Sequence, residues 1–162
     1  MAGLLSKKES WINLINKVKP GVAMFQETKI YKKGKIKMDN YCIFESVRGE
    51  GEGGGLLTMV HENFDPVLIP NSNSAQICTN VLVVEASLGK ARIRYINGYG
   101  VQETAPIGEK MEFLTSLDQE IENSFSNNCF VCIQMDGNGK FGKDVITGDP
   151  HEISPTIIRF NY

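Results

Sequence analysis

The chain has 162 residues, 41% hydrophobic and 22% charged, which supplies a sizeable core for one domain and reads as globular and not disordered. Seventeen basic against nineteen acidic residues leave a formal charge of −2, so no overall basic footprint exists, and nucleic-acid contact must rest on a local patch or a metal. No apolar run approaches membrane length and no signal peptide is evident, and Cys42, Cys78, Cys129 and Cys132 read as small hydrophobes of a reducing, intracellular setting, nuclear or cytoplasmic.

Ser6-Lys7-Lys8-Glu9 has the form of a capping box, with Ser6 capping and Glu9 reaching back. Trp11, Leu14, Ile15 and Val18 then recur at helical spacing, and Pro20-Gly21 closes the helix. Val22 to Gln26 follows as a short apolar run after a turn, which predicts a buried strand of the parallel type. Gln26 and Glu27 sit where that strand leaves its sheet, the place where α/β folds bind ligands, and the Glu27 carboxylate is a good hard-metal ligand.

Lys29 to Asn40 reads as a polar loop. Its Lys29, Lys32, Lys33, Lys35 and Lys37 form a basic patch, whose plain reading is a solvated loop face. Tyr41 to Val47 and Leu56 to Val60 are strands separated by a glycine-rich stretch. That stretch lacks the Lys-Ser/Thr of a phosphate-binding loop and no helix follows it, so Gly53 to Gly55 read as close backbone packing or a bulge. Pro66 to Ile69 is a short strand. Gln76 to Leu88 and Ala91 to Ile96 form an antiparallel hairpin around Gly89-Lys90.

Pro106 opens a second helix over roughly Ile107 to Phe125. Met111, Leu114, Leu117, Ile121 and Phe125 are its expected core stripe, with Glu109, Asp118, Glu120 and Glu122 on the wet side. Cys129 to Met135 is another buried strand. Cys129 and Cys132, three apart along it, point to opposite faces and make no shared metal site. His61 and His151 read as surface residues.

Three strand ends therefore carry polar clusters: Gln26-Glu27, Asn97-x-Tyr99 and Asp136-x-Asn138. In this order they resemble the endonuclease/exonuclease/phosphatase superfamily. Gln26-Glu27-Thr28 is similar to its Gln-Glu-Thr motif, and Gly53 to Val60 to its glycine-rich strand. Asn97-x-Tyr99-Gly100-x-Gln102 is similar to its Asn-x-Tyr-x-Pro-Asn/Gln motif, with Val101 at the proline. Asp136-Gly137-Asn138 resembles its Gly-Asp-Phe-Asn motif, with Met135 and Gly137 replacing Gly and Phe. Gln102-Glu103 and the run from Gln134 through Gly148-Asp149-Pro150 look most like the endonuclease domains of non-LTR retrotransposons.

The resemblance spans Leu4 to Ser154. It implies a single, truncated domain over 1–162: a partial four-layer α/β/β/α sandwich (DNase-like) with mixed sheets and two main helices. It further implies a phosphodiesterase acting on DNA with Mg²⁺, for which Mn²⁺ is a possible substitute. Glu27 would hold the metal, Asp136 would orient or deprotonate the attacking water, Asn138 would position the phosphate, Tyr99 would hydrogen-bond a phosphate oxygen, and Asn97 and Gln102 would position the substrate loops. The family's leading Asn-bearing strand, its Ser-Asp-His motif and the C-terminal half of its fold find no counterpart. A catalytically inactive remnant or interaction module, and a phosphoinositide or sphingomyelin phosphodiesterase, are the other readings. The missing half implies an exposed sheet face for a second copy or a second polypeptide to cover, with no membrane involved.

Overall fold

The computed structural model describes residues 4–47, 54–70, 80–102 and 104–136. Two sheets lie face to face, each with a helix on its outer side. The first sheet has the order β1-β3-β2, from β1 (Val22–Phe25), β2 (Tyr41–Ser46) and β3 (Leu56–His61), all antiparallel. The second has the order β4-β5-β6-β7, from β4 (Val67–Ile69), β5 (Val81–Leu88), β6 (Ala91–Tyr99) and β7 (Phe130–Asp136). β5 and β6 are the expected hairpin, whereas β7 lies parallel to β6 and is reached through the helix α2 (Ile107–Ser126), as a parallel crossover requires.

Strand alternation sorts the core into layers. Leu57 and Met59 of β3 face the first helix, α1 (Lys8–Val18), and pack with Trp11, Ile15, Ile30 and Ile36. Leu56 and Val60 face the other way and meet Leu82, Val84 and Ala86 of β5 and Tyr99 of β6 between the sheets. Val81, Val83 and Ile96 look outward onto Phe113 of α2. The order of layers is therefore helix, sheet, sheet, helix.

Several expectations change. Among the described residues β1 pairs only with β3 and runs against it, so it is a half-buried antiparallel edge strand and not a buried parallel one. Ser6 does not cap α1: a 3₁₀ turn at Leu4–Lys7 runs straight into the helix, and Lys7 occupies the cap position without a side-chain bond. On α1 only Trp11 and Ile15 of the stripe are buried, while Leu14 and Val18 are more than half exposed. The α2 stripe is out of phase. Phe113, Ser116, Glu120 and Ser124 face the sheet, Leu117 and Ile121 flank them, and Met111, Leu114 and Phe125 lie in solvent. Glu120, placed on the wet side by pattern, is buried. β7 is an edge strand with Phe130 and Ile133 exposed, not a buried one.

Candidate active site

At the end of β1 the backbone turns sharply. Glu27 (φ 51°) and Lys29 (φ 53°) both sit in the left-handed region, unfavourable for residues with a Cβ and held only where surrounding bonds fix it. Those bonds are present. The Thr28 amide donates to the Gly55 carbonyl at 3.2 Å, the Lys29 amide to Gly54 at 3.0 Å, and the Thr28 carbonyl accepts from Leu4 at 3.0 Å. Thr28 is fully buried, and a Cβ on Gly55 (φ 85°) would stand 2.7 Å from its Oγ1. Gly54-Gly55 thus serves close backbone packing, and that contact lifts Glu27 to the surface.

Asn97, on the inner face of β6, ties the two sheets together beneath this turn. Its Nδ2 donates to the carbonyls of Leu57 (3.0 Å) and Phe25 (3.3 Å) and to Thr58 Oγ1 (3.2 Å), and its Oδ1 accepts from Gln26 Nε2 at 2.7 Å. With no exposed surface, Asn97 fixes Gln26 and the end of β1 and does not itself reach a substrate. Two residues on, the Tyr99 ring is buried between Leu56 and Leu82. Its hydroxyl crosses between the sheets and donates to Glu27 Oε1 at 2.7 Å. That bond holds an exposed carboxylate in one orientation. Asp136 closes β7 in register with Tyr99, its carbonyl accepting from Gly100 at 2.7 Å and its side chain exposed. Gln102 is exposed and lines, with Tyr99, Asn80 and Glu109, a neighbouring recess of about 220 Å³. Asn138 lies outside the described residues.

The close backbone packing expected of the glycine-rich stretch is present at Gly54 and Gly55. The supporting roles of Gln26 and Thr28, named in the sequence only as neighbours of Glu27 in the Gln-Glu-Thr motif, become visible in the structure. Neither His61 nor Cys129 belongs here, and Cys78 and His151 lie outside the described residues. His61 Nδ1 accepts from the Asn63 amide and its ring meets Tyr41 and Phe64. Cys129 lies near the opposite end of the sheet, where Glu85 receives Arg94 Nε at 2.9 Å, Arg92 at 3.1 Å and the Cys129 thiol at 3.5 Å. Burial works to raise the Glu85 pKa, but hydrogen bonds from Arg94 and Cys129 and the nearby guanidinium charges outweigh it, and the carboxyl sits below its ordinary value. Burial, first, and the Glu85 charge push the Cys129 thiol up, so it is an inert structural sulfur.

Among the described residues no three acids, histidines or cysteines cluster as a metal cage. The donor chemistry at Glu27 nevertheless fits Mg²⁺, which takes one or two carboxylates and fills its octahedron with water and substrate phosphate.

No protein-family model and no curated protein matches the chain. Solved structures do. TDP2 from Caenorhabditis elegans is similar at TM-score 0.60 and 17% identity, over 85% of this chain and 44% of that one. The 3′ phosphatase NExo from Neisseria, bound to a product DNA hairpin, is similar at TM-score 0.63 and 16% identity, over 84% and 54%. AP endonuclease LMAP from Leishmania major is similar at TM-score 0.60 and 16% identity, over 83% and 51%. The fold is that of the DNase-like sandwich. The chain spans about half the length of the DNase-like structures it matches. Identity this low carries architecture and not chemistry, so the chemistry has to come from the residues at the strand ends.

Proposed function

We propose that this chain carries a metal-dependent phosphodiesterase site for DNA, built on Glu27, Tyr99 and Asp136. The observation that carries the reading is the 2.7 Å bond from the Tyr99 hydroxyl to Glu27, made across the two sheets at the rim of the sandwich. It is supported by a DNase-like fold shared with an AP endonuclease and with a 3′ phosphatase bound to a DNA hairpin. The strand-end motifs support a retroelement endonuclease as the finer identity.

Glu27 would hold Mg²⁺, or Mn²⁺ in its place; the ion when bound neutralises phosphoryl charge and stabilises the leaving oxygen. The chain's own residues do the rest. Gln26, clamped by Asn97, and the Thr28–Gly55 contact keep Glu27 from turning into the protein. The Tyr99 hydroxyl fixes the carboxylate and stands where a phosphate oxygen would arrive. Asp136, at the same level on the adjacent strand, orients the attacking water and accepts its proton, and Asn138 positions the phosphate. No histidine among the described residues stands at the pair, so hydrolysis is expected to be slow, since loss of a positioned acid or base costs roughly 10²–10⁴ in rate.

Nicking of supercoiled plasmid with and without Mg²⁺ tests this directly. The wild-type chain should nick in a Mg²⁺-dependent way, and Glu27→Ala or Asp136→Ala should remove that activity. A second reading, an inactive remnant or interaction module of the same fold, is supported by the exposed apolar side chains on β7 and α2. Its mark is a cooperatively melting protein without nicking above background. The exposed Phe130 and Ile133 on β7 and Leu114 and Phe125 on α2 support a second copy or second polypeptide as an added partner, which light scattering would detect.

A further inference from the structure

The basic loop that leaves the site is built as a fixed surface. Ile30 and Ile36 are 2% and 3% exposed and lock into the α1-side core with Trp11, Ile15, Leu57 and Met59. Between those anchors, Gly34 (φ 77°) makes the tip, and its amide donates to Glu45 Oε2 at 2.6 Å. The backbone at the loop's start is tied to Gly54 through Lys29. Lys32, Lys33, Lys35 and Lys37 are left exposed around these three attachments. Residues 29–38 contain no acid, Glu45 is the acid bonded to the loop, and among the described residues no ion pair involves these lysines. Unpaired cations on an ordered scaffold, in a chain of formal charge −2, concentrate positive potential on one side of Glu27.

We propose that the Lys29–Lys37 loop is a rail for the sugar-phosphate backbone of DNA, gripping phosphates that flank the bond held at Glu27 and Tyr99, without reading base sequence. The location of that grip relative to the scissile bond rests on the proposed phosphodiesterase reading; the grip itself does not. The pattern favours a nucleic acid over an anionic membrane. A membrane-bound basic loop presents apolar side chains to the lipid, whereas here both isoleucines are turned inward and only Tyr31, 43% exposed, stands among the lysines, suited to stack on a base.

The test is fluorescence anisotropy of a fluorescein-labelled duplex DNA with the full chain in EDTA, over a range of KCl concentrations. Each phosphate neutralised contributes a slope of about −0.9 to log K against log [salt]. Changing Lys32, Lys33, Lys35 and Lys37 together to Gln should flatten the slope by about 3.6 and weaken low-salt binding roughly 100-fold or more. Changing Lys8 and Lys17 on α1 to Gln should leave both unchanged. Should the fourfold variant melt early, Lys32→Gln and Lys35→Gln singly should each flatten the slope by about 1. An unaltered slope in the loop variants overturns the proposal. So does lysine-dependent binding to phosphatidylserine vesicles with no binding to DNA. Glu27→Gln, which should stop nicking while keeping the slope, distinguishes failure of the site from failure of the rail.

Discussion

Gly55 shows how one missing methyl sets the site. Its φ of 85° is open to glycine, and the space its absent Cβ leaves is filled by the Thr28 hydroxyl at 2.7 Å. Gly55→Ala adds both backbone strain and a clash with buried atoms, and should cost about 2 kcal/mol, a fall of roughly 4–8 °C in Tm for a chain of this size, measurable by calorimetry. Gly34, also at positive φ but with open space around it, provides the contrast in crowding. Glu27, Tyr99, Asn97 and Asp136 were visible in the sequence because polar groups interrupted apolar runs at strand ends. Their division of labour was not. Asn97 was expected to support the strand-end loops that position substrate; the four hydrogen bonds by which it clamps β1 and β3 from within depend on how two sheets stack.

At the scale of elements, the helices were legible in extent and not in phase. α2 carries apolar residues on two adjoining faces, so periodicity alone did not say which one meets the sheet. The face that packs contains Ser116 and Ser124, small enough to sit close to β5 and β6, and the Ser124 hydroxyl is satisfied within the helix by the Glu120 carbonyl at 2.6 Å. Phe113→Ala should therefore cost about 3–4 kcal/mol, whereas Leu114→Gln, next to it in sequence, should change stability by about 0.5 kcal/mol or less in urea melts. The same sheet is pinned by Glu85, which draws together β5, β6 and, through Cys129, the approach to β7. Its folded pKa lies below the unfolded carboxylate value, so its contribution is complete above about pH 4.3 and fades as pH falls through the folded value. Glu85→Gln should destabilise the chain by about 2 kcal/mol at pH 7, with the gap to wild type closing as urea melts are taken to acid pH.

The described residues form a DNase-like sandwich. β1 and β7 are edge strands of their respective sheets, joined at one point by the Gln134 amide donating to the Met24 carbonyl at 3.4 Å. Between the sheets and α1 runs a largely apolar groove of about 680 Å³, lined by Trp11, Val22, Tyr95 and Cys132 among others. The layer order was readable from sequence through the motif resemblance. Beyond the β5–β6 hairpin, strand pairing was not: the antiparallel first sheet and the parallel β7 depend on contacts far apart in the chain, which short-range pattern does not encode.

The central claim is that Glu27, fixed by Tyr99, is where a divalent ion meets a phosphodiester. Titration of Mn²⁺ followed by electron paramagnetic resonance measures this without requiring turnover. The free-ion signal should fall on adding the wild-type chain, Glu27→Gln should weaken binding at least about tenfold, a loss of about 1.4 kcal/mol, and Tyr99→Phe should weaken it by a smaller factor. Equal Mn²⁺ affinity in all three proteins, or none in any, would contradict it.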